Sequence, residues 1–238
     1  MAVHSVGVIG SGQMGNGIAQ VAACSGKEVM MVDIKEEFLE RGLATISKSL
    51  DKLASKGIMS AEEASSALSR ISTSVSMDSL SQCDLVVEAI PEIPELKFST
   101  FSQLDSICKP EAILASNTSS ISINEIASHT KRADRVIGMH FMNPVPVMKL
   151  VEVIRGRETS DATTAAVVAC AEQIGKVPVE ANDFPGFVAN RVLMPMINEA
   201  AYCLQEGVSS KEGIDTVMTL GMAHPMGPLA LADLIGLD

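Results

Sequence analysis

Two hydrophobic patterns alternate along the first 183 residues of the chain. Short runs of consecutive apolar residues are typical of strands buried on both faces, and apolar residues that recur every three or four positions are typical of helices. The runs predict strands at 5–10, 28–33, 71–76, 84–90, 112–117, 136–141, 149–154 and 177–181. The periodic stretches predict helices at 13–25, 36–56, 60–69, 95–107 and 160–175. This alternation indicates an α/β domain with a mainly parallel, doubly wound sheet.

The pattern changes near residue 184. Residues 182–186 read NDFPG, which is typical of a turn. Beyond it only helical periodicity remains, with helices predicted at 187–206, 209–220 and 227–236. We therefore predict two domains, an α/β domain of residues 1–183 and an all-helical domain of residues 184–238.

A glycine-rich turn joins the first predicted strand to the first helix. It reads GSGQMG, which is the G-x-G-x-x-G pattern. The first glycine forms the tight turn, the second lets the backbone approach a pyrophosphate, and the third lets helix and strand pack closely. The helix N-terminus offers unpaired amides to the diphosphate. In this context the motif predicts a Rossmann-type dinucleotide site that includes Gly10, Gly12, Gln13, Met14 and Gly15.

Asp33 ends the second strand, where such sites have the group that binds the adenosine ribose. A carboxylate accepts hydrogen bonds from a 2′-hydroxyl but repels a 2′-phosphate. Asp33 therefore favours NAD over NADP, although Lys35 nearby leaves NADP as an alternative.

Three polar residues fall at or near the ends of later strands, where open α/β sheets have their ligand crevice. Ser119 follows one strand, His140 lies near the end of the next, and Glu152 lies within the apolar run KLVEVI. A carboxylate in such a run is costly unless it is hydrogen-bonded or paired, and His140 is its natural partner. The pair would fix the imidazole tautomer and leave the other nitrogen for a proton. On the residues alone, a purely structural histidine remains the alternative.

Charge and cysteine content restrict the possible partners. A formal net charge of −11 argues against a general affinity for nucleic acid or anionic membranes, because phosphate surfaces require clustered Lys and Arg. No apolar run approaches the roughly 18 residues of a membrane span. The five cysteines are widely spaced and form no C-x-x-C pair, so we expect reduced thiols in a cytoplasmic protein and no metal site.

Three lysines recur at four-residue intervals on or near the predicted helix 36–56, namely Lys48, Lys52 and Lys56. This spacing lays their ammonium groups along one helix face. The face is either solvated or a binding surface for a phosphorylated substrate tail.

Three segments carry a family resemblance: VGVIGSGQMGNGIAQ, then SNTSS with HFMNPVPVMKLVEVI, then DFPGFVANR with HPMGPLALADLIGLD. Together they resemble the 3-hydroxyacyl-CoA dehydrogenase family, and within it the bacterial 3-hydroxybutyryl-CoA dehydrogenases most. The resemblance covers essentially the whole chain. It implies an NAD(H)-dependent oxidoreductase that interconverts (3S)-3-hydroxybutyryl-CoA and acetoacetyl-CoA.

The resemblance also implies roles for individual residues. His140 would be the general acid or base, Glu152 its partner, and Ser119 and Asn190 would orient the substrate oxygens. The residues assigned to the nicotinamide side of the cofactor are Glu92 and Lys97, and further cofactor contacts are assigned to Asn117 and Asn143. The lysines of helix 36–56 become candidate contacts for the phosphates of coenzyme A.

Family members continue for several helical turns beyond the final GLD, so we expect the helical domain here to be partial. In a full-length form that domain would carry a homodimer interface. Two alternatives stay open. A lysine-using 3-hydroxyacid dehydrogenase would need a catalytic lysine where this chain has the segment around Asn190, and a non-enzymatic NAD-binding protein of the same fold would lack the chemistry.

Overall fold

The structure, a computed structural model, describes residues 2–236. The chain divides into two compact units, Met1–Pro185 and Gly186–Asp238. This division lies two residues beyond the boundary predicted from the sequence. Met1, Leu237 and Asp238, at the ends of the two predicted domains, lie outside the described residues.

The first unit alternates strands and helices. Its strands are β1 Ser5–Ile9, β2 Glu28–Val32, β3 Ile71–Ser74, β4 Leu85–Glu88, β5 Ile113–Ser116, β6 Val136–Phe141, β7 Leu150–Arg155 and β8 Val177–Asn182. Its helices are α1 Gln13–Cys24, α2 Glu36–Ser55, α3 Ala61–Ser69, α4 Pro94–Ile107, α5 Ile123–Ser128 and α6 Asp161–Gln173. Helix α5 is not among the predicted helices, because six residues are too few to show a helical period.

The eight strands form one sheet in the order β3-β2-β1-β4-β5-β6-β7-β8. All neighbouring strands are parallel except β6 and β7, which are antiparallel. The predicted mainly parallel, doubly wound sheet is therefore confirmed. The chain order reverses between β1 and β4, and in such sheets the ligand crevice opens at the carboxyl ends of the strands that flank this point.

The core lies on both faces of this sheet, which explains the continuous apolar runs. Several residues of the central strands are at most 1% exposed, namely Val8, Met31, Val87, Ala115 and Ile137. Because helices cover both faces, only the ends of the strands can present polar groups to a ligand.

The second unit is helical, as predicted, with α7 Ala189–Gln205, α8 Lys211–Thr216, a π-helical turn Val217–Gly221 and α9 Pro228–Ile235. The Oγ atom of Ser210 accepts a hydrogen bond from the backbone N–H of Gly213 at 3.1 Å, which caps α8. The helix predicted at 209–220 therefore begins at Lys211 and changes its winding at Val217.

Candidate active site

The glycine turn between β1 and α1 depends on two of its three glycines for its shape. Gly10 has a φ of +93°, and a Cβ atom there would lie 2.5 Å from the carbonyl oxygen of Ala89. A Cβ atom on Gly15 would lie 1.7 Å from the carbonyl oxygen of Gly10. A Cβ atom on Gly12, by contrast, would have no atom of the described residues within 4 Å beyond its chain neighbours and its own helix. The turn therefore leaves open space at Gly12, where a pyrophosphate needs it.

Asp33 links the end of β2 to this turn. Its Oδ2 atom accepts hydrogen bonds from the backbone N–H and the hydroxyl of Ser11, both at 2.7 Å, and its Oδ1 atom accepts from Ile34 N at 2.7 Å. A cavity of about 500 Å³ opens beside the carboxylate. Its lining residues are Ser11, Gly12, Gln13, Asn16, Asp33, Phe38, Arg41, Gly42 and Thr45. The position and volume suit the adenosine half of a dinucleotide.

Arg41 in the wall of this cavity is not among the predicted site residues. Its guanidinium lies 4.9 Å from the centre of the Phe38 ring and forms an ion pair with Glu37, with 3.5 Å between Arg41 Nη2 and Glu37 Oε1. The sequence carries a weak signal for it, since Phe38 and Arg41 are one turn apart on the helix that follows Asp33. A cation here bears on the choice between NAD and NADP.

His140 and Glu152 lie directly opposite each other in the β6–β7 ladder. Paired residues of adjacent strands project from the same face of a sheet, so their side chains meet. His140 Nδ1 and Glu152 Oε2 are 2.8 Å apart, and the residues are 6% and 2% exposed. The predicted contact between them is therefore present.

Ser119, in the loop after β5, lies at the other imidazole nitrogen. Its Oγ atom is 3.0 Å from His140 Nε2. An ionised Glu152 can only accept, so in the neutral imidazole Nδ1 donates to Glu152 and Nε2 accepts from a hydroxyl. The arrangement is suited to taking a proton from an alcohol and returning it.

Glu92 holds the loop that carries Ser119. Its Oε1 atom accepts hydrogen bonds from Ser119 N at 2.9 Å, Ser120 N at 3.2 Å and Ser120 Oγ at 3.0 Å, and the Thr118 hydroxyl also donates to it. Burial alone would raise the pKa of Glu92. The hydrogen bond from Thr118 and the positive charge of Lys97 outweigh burial and lower that pKa. Glu92 is therefore a charged acceptor at neutral pH.

Lys97 is buried, at 1% exposure. Its Nζ atom lies 2.5 Å from Glu88 Oε1 and 3.2 Å from Glu92 Oε2, and donates to the Ile90 carbonyl at 3.2 Å. The contact of Lys97 with a cofactor stays a prediction. Glu88 is not among the predicted residues, although it carries the same sequence signal as Glu152, a carboxylate inside an apolar strand.

Two asparagines assigned to the cofactor join separate parts of the crevice. Asn117 Oδ1 accepts from Phe141 N at 2.9 Å, which connects the ends of β5 and β6. Asn143 Oδ1 accepts from Gln13 Nε2 at 3.1 Å, which connects the loop after β6 to the first turn of α1. Met14 packs against the core beneath this turn. The structure thus brings Gln13 and Asn143 into direct contact.

The remaining predicted residues lie elsewhere. Lys48 and Lys52 are exposed on α2, the helix that also lines the cavity beside Asp33, and Lys56 is exposed at its C-terminal cap. Asn190 is the second residue of α7, in the second unit. Its role toward a substrate stays a prediction.

Within residues 2–236, no group of three or more His, Cys, Asp or Glu side chains is arranged to hold a metal ion. No helix in this range is both long and apolar enough to cross a membrane.

Comparison with known proteins identifies the family. The pattern described as "3-hydroxyacyl-CoA dehydrogenase, NAD binding domain" matches residues 5–184, and the pattern of the C-terminal domain of the same family matches residues 186–238. The chain belongs to the 3-hydroxyacyl-CoA dehydrogenase family. The resemblance inferred from the motifs is thereby confirmed.

Individual members of the family are similar over the whole chain. A probable 3-hydroxybutyryl-CoA dehydrogenase of Bacillus subtilis is 57% identical, over 100% of this chain and 83% of its own length. A 3-hydroxybutyryl-CoA dehydrogenase of Bradyrhizobium diazoefficiens is 52% identical, over 99% of this chain and 80% of its own. The crystal structure of (S)-3-hydroxybutyryl-CoA dehydrogenase PaaH1 from Ralstonia eutropha superposes with a TM-score of 0.98 at 53% identity, covering 100% of this chain and 84% of that one.

Proposed function

We propose that this family member catalyses the NAD(H)-dependent interconversion of (3S)-3-hydroxybutyryl-CoA and acetoacetyl-CoA. The observation that carries the proposal is the imidazole of His140, held between Glu152 at 2.8 Å and Ser119 at 3.0 Å. It lies in the same unit as the glycine turn and Asp33. The names of the similar bacterial enzymes support the choice of a four-carbon acyl-CoA.

The residues of the crevice fit NAD. The open space at Gly12 and the amides at the start of α1 suit its pyrophosphate, and Asp33 suits its adenosine ribose. When bound, NAD supplies the acceptor for a hydride. Arg41 is the feature that would favour a 2′-phosphate, but Asp33 is hydrogen-bonded to the turn itself through Ser11, and we propose NAD as the cofactor.

His140 carries the proton transfer in this proposal. During oxidation its Nε2 atom takes the proton of the 3-hydroxyl while the C–H bond at C3 breaks, and during reduction the imidazolium returns that proton to the ketone. Glu152 holds Nδ1, so the proton moves only at the nitrogen that faces the crevice. Ser119 and Asn190 would orient the reacting oxygen.

The contacts run from the Ser119 hydroxyl to the His140 imidazole and on to the Glu152 carboxylate, which is also the order found in a hydrolytic triad. Acyl transfer would require backbone N–H groups near the nucleophile to face a developing oxyanion. The N–H groups of Ser119 and Ser120 instead donate to Glu92, whose negative charge opposes an oxyanion there. We therefore propose that Ser119 orients the substrate and does not attack it.

Three finer assignments belong to the same proposal. The exposed lysines of α2, Lys48 and Lys52, with Lys56 beyond them, would contact coenzyme A phosphates. A homodimer would form through the helical unit, whose exposed apolar side chains include Val192 and Leu220. All five cysteines are free thiols, which supports a cytoplasmic location.

The test is the loss of NADH absorbance in the presence of acetoacetyl-CoA, with free CoA thiol measured in the same reaction. We expect oxidation of NADH that requires the thioester, with acetoacetate as the inactive control, and no release of CoA. A longer 3-ketoacyl-CoA measures the preference for chain length. Release of CoA without NADH oxidation would instead indicate a hydrolase.

A separate titration of NADH fluorescence distinguishes the remaining alternative. NADH that binds but is not oxidised by any acyl-CoA would overturn the enzymatic proposal and favour a non-enzymatic dinucleotide-binding protein of the same fold.

A further inference from the structure

Glu88 and Lys97 form a buried charged pair that the proposed proton transfer does not use. Glu88 is the last residue of β4 and Lys97 lies in the first half of α4, and they are 0% and 1% exposed. Charges buried to this degree persist only with close partners. Glu88 Oε1 lies 2.5 Å from Lys97 Nζ and accepts from Ile90 N at 2.8 Å, and Glu88 Oε2 accepts from Ser116 Oγ at 2.6 Å.

The ammonium group of Lys97 pairs with two carboxylates. Lys97 Nζ reaches Glu88 on one side and Glu92 Oε2, at 3.2 Å, on the other. The other oxygen of Glu92 accepts the hydrogen bonds of the Ser119 loop. Glu92 is thus fixed at one oxygen by the buried ammonium and holds the loop with the other.

The contacts continue to the reacting histidine. The backbone N–H of Ser119 donates to Glu92, and the Ser119 hydroxyl lies 3.0 Å from His140 Nε2. The Glu92 side chain is 40% exposed, so without Lys97 it could turn toward solvent and release the loop. Loops position catalytic groups well only when such contacts fix them.

We propose that Glu88 and Lys97 are positioning residues that hold Ser119 at His140 through Glu92. The inference rests on the proposed function, because it takes Ser119 and His140 as the groups that meet the substrate. Lys97 acts on the chemistry through Glu92, and Glu88 acts by fixing the ammonium of Lys97. Removing the pair should therefore weaken the transition-state contacts even when the cofactor is saturating, whatever the predicted contact of Lys97 contributes to NADH affinity.

The test variant is the double substitution Glu88→Gln with Lys97→Met, which removes both charges at similar volume. Replacing a buried ion pair as a unit avoids the uncompensated charge that a single Lys97 substitution would leave. We expect kcat for acetoacetyl-CoA reduction, measured at saturating NADH, to fall roughly 10- to 100-fold. Glu88→Gln alone should shift kcat in the same direction by a smaller factor, and serves if the double variant fails to fold.

A matched control lies at the opposite end of the same strand. Asp84 precedes β4 and pairs with Lys109 at 2.6 Å, and its other oxygen accepts hydrogen bonds from the backbone N–H groups of His4 and Ser5. The double substitution Asp84→Asn with Lys109→Met removes an ion pair of the same chemistry. We expect it to lower stability and to leave kcat unchanged.

A second readout does not require turnover. The side-chain ¹⁵N signals of the four histidines report hydrogen bonding at each imidazole, and the His140→Ala variant assigns the signal of His140. The double variant should shift the His140 signals and leave those of His129 in place. Unchanged His140 signals would overturn the positioning role even if the parent enzyme is active. If those signals are unchanged and the Kd for NADH is raised more than about tenfold, Lys97 is assigned to the cofactor instead.

The two proposals fail separately. A parent protein that does not oxidise NADH with acetoacetyl-CoA overturns the proposed function, and the histidine signals then decide the positioning role by themselves.

Discussion

His140 Nδ1 and Glu152 Oε2 lie 2.8 Å apart because the two residues are register partners in the antiparallel β6–β7 ladder. The pair is therefore built on two strands of the central sheet. Ser119, whose Oγ atom contacts His140 Nε2, is instead on a loop held by Glu92. The imidazole and the carboxylate are positioned by the backbone of the sheet, whereas the Ser119 hydroxyl is on a loop that side-chain hydrogen bonds help to hold.

Substitution of His140 tests the proton transfer. His140→Ala should lower kcat by roughly 10²- to 10⁴-fold, because the variant lacks the imidazole that Glu152 orients, and should leave NADH affinity close to that of the parent. The measurement is steady-state reduction of acetoacetyl-CoA with NADH binding measured separately. The control is His129→Ala, which removes an imidazole stacked on Phe98 at 4.3 Å and should keep full activity. A near-normal kcat for His140→Ala would contradict the assignment.

The glycine turn offers a comparison between two similar substitutions. Gly15→Ala places a methyl group 1.7 Å from the Gly10 carbonyl, so it should destabilise the fold by about 2 kcal/mol or more. Gly12→Ala meets no described atom within 4 Å, so the free energy of unfolding should change little while NADH affinity falls. Urea denaturation and NADH titration check both. Equal loss of stability in the two variants would show that Gly12 is structural.

The choice of cofactor depends on two groups in one cavity. Asp33→Ala should weaken NADH and improve NADPH, because the carboxylate that repels a 2′-phosphate is gone while Arg41 remains in the wall. Arg41→Ala in the same background should remove the gain for NADPH. The ratio of kcat/KM for the two cofactors measures the effect. A ratio that does not change in Asp33→Ala would argue that this carboxylate only anchors Ser11.

Asp84 should make stability depend on pH in the acid range. Burial would raise its pKa, but hydrogen bonds from Lys109, His4 and Ser5 lower that pKa from 3.8 to about 2. A carboxyl group whose pKa is lower in the folded than in the unfolded state stabilises the folded protein at pH values above its unfolded pKa. This stabilisation is lost as the pH falls through the folded pKa of about 2. Asp84→Asn should therefore cost about 1 kcal/mol at pH 7, after allowance for partial exposure, and much less near the acid end. Thermal melts across this range check it, and a constant difference would contradict the assigned pKa.

Much of the fold follows from local sequence patterns and was therefore predictable. The β1–α1 turn, the apolar strands and the helical periods follow from residue type and spacing within ten or twenty positions. The pairing of His140 with Glu152 was also predictable, since a carboxylate inside an apolar strand requires a partner and one histidine lay nearby. The short helix α5 was not, because its six residues are too few to show a helical period.

The sequence by itself determined the α/β order of the first unit, the glycine turn, Asp33 at the end of β2 and the His140–Glu152 pair, because each depends on neighbours along the chain or on a single strand-to-strand step. Only the tertiary structure decided that Lys97 lies buried between Glu88 and Glu92, that Glu92 holds Ser119 and that Arg41 lines the cavity beside Asp33. These contacts join loops and helices whose relative positions are fixed by packing and sheet register, which no local pattern of residues specifies.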